Sequence, residues 1–195
     1  VIKKRIAGSV YLSVVCFLIH NLVGAQNTSL QPILPDMLSK NLKLVFCGSA
    51  AGVVSAQKQA YYAGPGNKFW PTLYEIGLTP RLFSPNQCHL LLDLGIGLTD
   101  MAKFVYGSDA SLQKGSDDPA RIYQIVNEST PTVLAFVGKR AAQVFFRAHF
   151  SIKNVPYGVQ KQTINKTELF VLPSPSGLAV RYWNTRPWYD LARHL

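Results

Sequence analysis

Two apolar runs that each end in small residues and glycine most constrain the fold of this chain. The first segment is LVFCGSAAG at 44–52, and the second segment is FVLPSPSGL at 170–178. An apolar run followed at once by glycine, serine or proline is typical of a buried strand that stops at an edge of its sheet. In sheets of parallel strands, ligands bind beyond the carboxyl ends of the strands. The two segments therefore predict one site assembled from distant parts of the chain.

Strands and helices are predicted to alternate along most of the sequence. Strands are predicted at 43–48, 97–101, 131–137, 160–165 and 168–172. Helices are predicted at 67–76, 84–94, 117–128 and 138–148, with a last helix that begins at Thr185. This alternation is typical of an α/β fold, here a three-layer α/β/α sandwich with a largely parallel central sheet. The 195 residues are enough for one such domain, which we assign to residues 30–195.

The first 29 residues differ in character from the rest of the chain. Lys3, Lys4 and Arg5 precede an apolar stretch from residue 7 to residue 25. A basic start, an apolar stretch and small residues at its end are typical of a secretory signal, and the stretch is short for a membrane-spanning helix. A signal or anchor, a functional tail and an extension without a role all stay open. We expect residues 1–29 to lie outside the folded domain.

Positive charge is concentrated in the last third of the sequence. The net charge is +10, and residues 136–195 contain nine Lys and Arg against two Asp and Glu. Such an excess favours a polyanionic partner, although charge alone does not distinguish nucleic acid from a membrane surface. The excess coincides with the second segment, whose predicted exposed loop favours nucleic acid.

The three cysteines, Cys16, Cys47 and Cys88, are far apart in the sequence. A zinc site or an iron–sulfur cluster needs more ligands at closer spacing, so the sequence predicts no metal and no iron–sulfur cluster. Reduced thiols are typical of a cytoplasmic protein. Cytoplasmic localisation is therefore expected, and the signal-like start of the chain is not favoured as an address.

A third segment, rich in aromatic residues and glycine, lies between the first two. This aromatic segment is YYAGPGNKFW at 61–70. In this order, the three segments resemble the uracil-DNA glycosylase superfamily, and most closely its mismatch-specific branch (Mug and thymine-DNA glycosylase). The resemblance extends over residues 30–195. It implies a uracil-DNA glycosylase-like fold and a monofunctional hydrolase that flips uracil out of DNA and cleaves its N-glycosidic bond, which starts base excision repair.

The resemblance also implies partners and cofactors. The partner would be double-stranded DNA with a damaged or mismatched base, such as a G:U pair. The protein would act as a monomer without a cofactor, and in a bacterial cell it would work at the nucleoid. No lysine matches a Schiff-base nucleophile, so no lyase activity is expected.

The base pocket is implied by all three segments. Gly48 and Ser49 allow main-chain N–H groups to approach a base closely. The family's first segment reads Gly-x-Asn-Pro-Gly, with the asparagine positioning the attacking water, whereas this chain has Ala50 at that position. By the resemblance, Tyr62 is the aromatic residue that stacks on the flipped base. Ser174 replaces an asparagine of the family's second segment and completes the implied pocket.

Asp100 is the predicted catalytic residue. It ends the apolar segment GIGLTD at 95–100, where a carboxylate is a helix cap, a solvated loop end or a functional group. A site without the family's asparagine needs another group to orient or deprotonate water and to offset positive charge on the sugar, and a carboxylate does both. Some Mug-like proteins have an acid in this segment, and by that resemblance Asp100 takes over the role of the asparagine.

The end of the second segment resembles the family's Asn-Pro-Ser-Gly-Leu motif, which inserts into DNA. By this resemblance, Leu178 replaces the flipped nucleotide in the base stack. Ser176 and nearby main-chain N–H groups would hold phosphates. The full set of predicted DNA contacts is Lys58, Asn67, Lys68, Pro175, Ser176, Gly177, Leu178 and Arg181.

Three other functions stay compatible with the sequence. Loss of the asparagine relaxes the recognition of pyrimidines, so the same scaffold is compatible with deaminated purines, hypoxanthine or xanthine. A non-catalytic module that binds damaged DNA would also tolerate Ala50. A secreted binding or enzymatic domain is suggested only by residues 1–25.

Overall fold

The computed structural model of the chain describes residues 31–195, and the predicted extension at 1–29 lies outside them. Within the described range, the strands are β1 Leu44–Ala51, β2 Ile96–Tyr106, β3 Val133–Val137, β4 Gly158–Ile164 and β5 Thr167–Leu172. The α-helices are α1 Val53–Lys58, α2 Phe69–Glu75, α3 Leu90–Asp93, α4 Pro119–Ser129, α5 Lys139–Phe150 and α6 Arg186–His194. Short 3-10 helices cover Pro85–Gln87 and Gly177–Tyr182.

The strands form one sheet in the order β2-β1-β3-β5-β4. β1 is parallel to β2 and to β3, and β3 is parallel to β5. β4 is antiparallel to β5 at the edge, and the turn between them is closed by Asn165 in a left-handed conformation with a φ of 53°. This α/β architecture with a mostly parallel central sheet confirms the predicted fold class.

Successive residues along the strands point to opposite faces of the sheet and bury two separate apolar cores. On one face, Phe46 of β1 packs against Phe69 of α2 and Trp188 of α6. On the other face, Phe136 of β3 packs against Phe145 of α5. Helices therefore cover both faces, and the sheet is the middle of three layers.

Some elements differ in length or kind from those predicted. β1 continues past Gly48 because it keeps pairing with β2 as far as Ala51. β2 runs to Tyr106 rather than ending near residue 101. The predicted helix at 84–94 is divided into a 3-10 turn and the short α3, because most of its main-chain hydrogen bonds reach back three residues instead of four.

Candidate active site

The carboxyl ends of the parallel strands bring the predicted catalytic residue beside the first segment. Asp100 of β2 is in register with Gly48 of β1. A β-carbon added at Gly48 would lie 2.4 Å from Oδ1 of Asp100 and 3.3 Å from the hydroxyl oxygen of Tyr62. Only glycine leaves room for the carboxyl group at this distance. Gly48, Tyr62 and Asp100 therefore form one close-packed group at the end of the sheet.

Asp100 is a buried carboxyl group with 4% of its surface exposed. Burial is the main cause that raises its pKa from 3.8 to about 6. The positive charge of Lys103 works against this shift, the carboxylate of Asp36 adds to it, and the guanidinium of Arg121 works against it. A carboxyl group whose pKa is close to the working pH both accepts and releases a proton readily, which suits a general base.

Asp100 belongs to a charged cluster made of Asp36, Asp100, Lys103 and Arg121. Nζ of Lys103 lies 2.6 Å from Oδ1 of Asp36 and 4.0 Å from Oδ2 of Asp100. Arg121 pairs with Asp36 at 2.8 Å and donates another hydrogen bond to the main-chain oxygen of Asp100. The hydroxyl of Thr99 donates to Asp36 at 2.7 Å. The cluster therefore contains two carboxylates and two cations, with Lys103 placed between Asp36 and Asp100 and with Arg121 on the other oxygen of Asp36.

The other three members of the charged cluster are absent from the predicted site. Asp36 precedes β1, Lys103 lies in β2 and Arg121 lies in α4, so only the folded chain brings them together. One signal was present in the sequence. Lys103 stands three residues after Asp100 in a largely apolar strand, where a buried ammonium group needs a partner.

Tyr62 provides an aromatic wall for the site. Its ring stacks on Phe69 with ring centres 3.8 Å apart and planes 17° apart, so one face of the ring is covered. Among the described residues, its buried hydroxyl has no hydrogen-bond partner. Burial, and then the carboxyl group of Asp100, raise the pKa of Tyr62, so the hydroxyl is neutral and able to donate. Tyr62 is half-buried, so part of its side chain is open to solvent, while its hydroxyl is buried beside Asp100.

Replacing Tyr62 with phenylalanine should leave the fold equally stable or more stable. The stack on Phe69 is kept, and the substitution removes a buried hydroxyl that costs about 1–3 kcal/mol when unpaired. Urea unfolding at pH 7 measures the change. The matched control is Tyr61→Phe, which should destabilise, because that hydroxyl accepts from Lys103 at 2.7 Å and donates to the main-chain oxygen of Pro35 at 3.1 Å. Equal losses in both variants would contradict this expectation.

The aromatic segment and the second segment are in direct contact. The N–H of Lys68 donates to the carbonyl oxygen of Pro175 at 2.8 Å. A β-carbon at Gly177 would lie 2.8 Å from the carbonyl oxygen of Pro65, so the two backbones meet where only glycine fits. The side-chain oxygen of Asn67 accepts a main-chain hydrogen bond from the first residue of α2 at 3.0 Å. Asn67 thus orders the aromatic segment, and the two segments present one surface.

Exposed apolar side chains follow directly after this contact. The hydroxyl of Ser174 lies 3.4 Å from the N–H of Ser176, and the hydroxyl of Ser176 accepts from the N–H of Leu178 at 3.2 Å. These local bonds start a 3-10 helix on which Leu178 is 86% exposed. Val180 and Tyr182 are exposed beside it. Such a patch is typical of a surface that meets a partner.

The predicted basic contacts lie at the surface, but the basic excess extends beyond them. Lys58 ends α1 and Arg181 lies in the 3-10 helix, and both are exposed. Lys68 is partly buried, with Nζ 5.5 Å from the ring centre of Trp183. Lys166 is exposed in the turn before β5, at the opposite end of the sheet. The positive charge of residues 136–195 is therefore not confined to the site.

Ser49 and Ala50 lie in a strand rather than in the predicted loop. Ala50 pairs with Ala102 of β2, while the pairing of β1 with β3 ends at Cys47. Within the described residues, the β3 side of β1 is therefore without a partner strand beyond Cys47. The first segment therefore ends as an extended strand edge rather than as the expected loop.

A shallow groove of about 390 Å³ begins at Tyr62 and Asn67. Its further walls are apolar and amide side chains, among them Trp70, Phe83 and Gln87. Asp100 does not line it. The groove therefore extends the site on the side of the aromatic segment and does not contain the carboxyl group.

Among residues 31–195, no group of His, Cys, Asp and Glu is arranged to hold a metal ion. None of the helices in this range has both the length and the apolar character needed to cross a bilayer. Cys47 and Cys88 are free thiols, and burial raises the pKa of both. Cys16 lies outside the described residues, so the absence of metal from the whole chain stays a prediction.

The structure is that of an α/β protein in which Gly48, Tyr62 and Asp100 lie together at the carboxyl ends of parallel strands, where such folds usually bind ligands. Residues 35–193 match the uracil DNA glycosylase superfamily, and the chain belongs to that superfamily. A Methanosarcina acetivorans protein, solved by solution NMR and named as a candidate uracil DNA glycosylase, has a similar fold. It is 24% identical with a TM-score of 0.56, and the match covers 85% of this chain and 97% of that one. Superfamily membership assigns the chain to the DNA glycosylases, hydrolases that act on DNA.

Proposed function

We propose that this protein is a monofunctional glycosylase that excises uracil from double-stranded DNA, in the manner of the mismatch-specific branch of the superfamily. The observation that carries the proposal is the buried carboxyl group of Asp100 packed against Gly48. Superfamily membership supports the reaction class. The uracil specificity rests on Tyr62 and on the resemblance of the three segments.

In this proposal the carboxylate of Asp100 replaces the family's asparagine as the group that orients the attacking water. Ala50 has no polar side-chain atom and cannot orient a water molecule. Asp100 holds Oδ1 beside Gly48, two residues before Ala50 in the same strand. The group that handles water therefore reaches the same backbone from the neighbouring strand β2.

Hydrolysis requires the water oxygen to bond to C1′ of the deoxyribose as the bond from C1′ to N1 of uracil breaks. The bonding electron pair leaves with N1, and the carbonyl groups of uracil spread its charge. Asp100 orients the water, takes its proton and offsets the positive charge that develops on the sugar. The proton then passes to the uracil anion. The products are free uracil and an abasic site, and no cofactor is needed.

The base and the duplex are held by the surface described above. In this proposal Tyr62 stacks on uracil, and Phe69 supports its ring from the other side. Leu178 enters the vacated position in the stack, since its side chain is almost fully exposed next to the site. Lys58 and Arg181 are exposed and suited to phosphate contacts.

Single-turnover excision from labelled duplexes tests the proposal. The duplexes contain one uracil opposite guanine, one uracil opposite adenine, one thymine opposite guanine or one hypoxanthine opposite thymine. We expect uracil to be released, and released fastest opposite guanine. Release of hypoxanthine alone would transfer the assignment to deaminated purines. Tight binding to every damaged duplex without cleavage would replace the enzyme with a damage-binding module.

Replacing Leu178 with alanine should slow excision from a paired duplex about 10- to 100-fold, because burial of a leucine side chain is worth about 1.5–3 kcal/mol. Single-turnover rates on a uracil:guanine duplex measure the effect. The matched control is Val180→Ala, an exposed apolar residue on the same 3-10 helix, which should have a smaller effect. Single-stranded DNA with uracil has no stack to refill, so the Leu178 effect should shrink there. An equal loss on both substrates would contradict insertion.

A further inference from the structure

We propose that Lys103 is a positioning residue that keeps the Asp100 carboxylate ionised and oriented for the attack of water. The inference rests on the proposed function, since it concerns how that reaction is prepared. It adds Lys103 and the residues that fix it to the machinery implied by the three sequence segments.

A local irregularity of β2 brings Lys103 to the side of Asp100. In a regular strand, residues three apart point to opposite faces of the sheet. Here the register with β1 shifts sharply, because Ala50 pairs with Ala102 and the next residue, Ala51, pairs with Tyr106. This bulge turns the lysine back toward Asp100, and bulges of this kind are frequent beside active sites.

The ammonium group of Lys103 is fixed in place. The residue is 4% exposed, and Nζ contacts Oδ1 of Asp36 at 2.6 Å and the hydroxyl oxygen of Tyr61 at 2.7 Å. Asp36 is held in turn by Thr99 at 2.7 Å and by Arg121 at 2.8 Å. A buried ammonium with these partners cannot swing away into solvent. It therefore acts on Asp100 as a fixed charge.

The two oxygens of Asp100 have different neighbours. Oδ2 lies 4.0 Å from Nζ of Lys103, while Oδ1 lies on the side of Gly48 and the hydroxyl of Tyr62. Lys103 thus attracts one oxygen and leaves the other turned to the place where a water and a sugar would meet. The same engagement with Asp36 and Asp100 makes the amine unsuited to a Schiff base, in keeping with a monofunctional enzyme.

The charged and titratable groups around Asp100 come from several elements. Lys103 of β2 and Arg121 of α4 favour its ionised form, and Asp36 before β1 opposes it. Three neutral groups complete the surroundings, and their own ionisation is disfavoured by Asp100: Cys47 of β1, Tyr61 and Tyr62. Among the cationic groups, Lys103 lowers the pKa of Asp100 most, so its removal should raise that pKa more than the removal of Arg121.

The test compares the pH dependence of excision in the native protein, Lys103→Met, Lys103→Arg and Asp36→Asn. Native excision should rise with a midpoint close to the Asp100 pKa of about 6. In Lys103→Met the midpoint should rise by about 1–3 units, since that is the effect of one opposite charge at this distance. A rise of about two units lowers the rate at pH 7 roughly tenfold and restores it at high pH.

Lys103→Arg and Asp36→Asn test whether charge is the cause of the shifted midpoint. Lys103→Arg keeps the charge and should keep the midpoint near its native value. Asp36→Asn removes a negative neighbour and should move the midpoint in the opposite direction, to lower pH. A merely structural role of Lys103 would lower the rate equally at every pH and leave the midpoint unchanged, which would overturn the proposal.

A second measurement separates this proposal from the proposed function. The carboxyl carbon of Asp100, labelled with carbon-13 and assigned by comparison with Asp100→Asn, reports ionisation by NMR without any substrate. Midpoints that move upward in Lys103→Met and downward in Asp36→Asn support the role of Lys103 even if uracil is not released. If the NMR midpoints do not move in a protein that does excise uracil, the proposed role of Lys103 is overturned, while the proposed glycosylase function stands.

Discussion

Replacing Asp100 with asparagine should reduce uracil excision at least 100-fold at pH 7, since general base catalysis of this kind contributes about 10²- to 10⁴-fold. Asparagine keeps the shape of the buried side chain beside Gly48 but accepts no proton and offsets no positive charge on the sugar. The residual rate should also lose the rise near pH 6 that ionisation of Asp100 gives the native enzyme. Single-turnover rates from pH 5 to pH 9 measure both effects.

The same substitution should make the fold more stable, because the site disfavours the charge of Asp100. Its pKa is raised from 3.8 to about 6 on folding. Between these values the folded protein binds more protons than the unfolded chain, so the free energy of unfolding falls as the pH rises through this window. By pH 7 this loss reaches about 3 kcal/mol. Asparagine removes the charge, and we expect a gain of about 1–3 kcal/mol at neutral pH.

Urea unfolding at several pH values tests this gain. The advantage of Asp100→Asn over the native protein should grow from pH 4 to pH 7 and then stay constant. Lys103 keeps Asp36 as a partner in the variant, so no ammonium group is left alone. A variant that is both inactive and less stable at pH 7 would mean that Asp100 holds the fold together and that its loss of activity says nothing about water.

Replacing Gly48 with alanine should have the second large effect. The new β-carbon would lie 2.4 Å from Oδ1 of Asp100, so the carboxyl group or β1 must move. Overpacking of a buried site costs about 1–3 kcal/mol of stability. A shift of about 1 Å at the reacting group costs about 100-fold in rate, so excision should be almost lost. Single-turnover excision and urea unfolding measure the two effects.

Gly52 offers a matched control for this change. It lies four residues later in the first segment, has an extended backbone with a φ of −70°, and a β-carbon added there meets no atom within 4 Å. Gly52→Ala should change stability by less than about 1 kcal/mol and keep most of the excision rate. Similar losses in the two alanine variants would show that flexibility of the segment matters, and not the space beside Asp100.

Much of the fold was predictable because its signals are local. The apolar runs at 44–48, 133–137 and 168–172 are buried strands of the sheet, and Asp118 before Pro119 starts α4 as such a pair usually does. The predicted start of a helical segment at Ser84 is confirmed, but the prediction of one continuous helix over 84–94 was wrong, because hydrogen bonds that reach back three residues tighten much of it into 3-10 turns, which composition does not reveal. The end of β1 was misplaced because pairing with β2 kept small residues extended.

The site was predictable only where residues adjoin a recognisable segment. Asp100 and Tyr62 stand in such segments, and the structure brings both to Gly48. To predict that Lys103 lies beside Asp100, one would have to know that β2 contains a bulge. Bulges depend on how two strands pair rather than on either sequence alone. Asp36 lies in an irregular stretch whose course is fixed by tertiary contacts, so nothing in its neighbours indicated that it would meet a lysine from β2.

The hydrogen bond from Lys68 to Pro175 has a consequence for a chain under translation. The residues of the charged cluster have all been synthesised once the ribosome has passed Arg121. The aromatic segment is made earlier still, yet its backbone partner and the leucine that would enter DNA come only with residues 175–178. Under the proposed function, a nascent chain would therefore contain the groups proposed to handle the proton before the residues proposed to contact DNA. Incomplete chains released from the ribosome would lack the means to hold a nucleotide outside the stack.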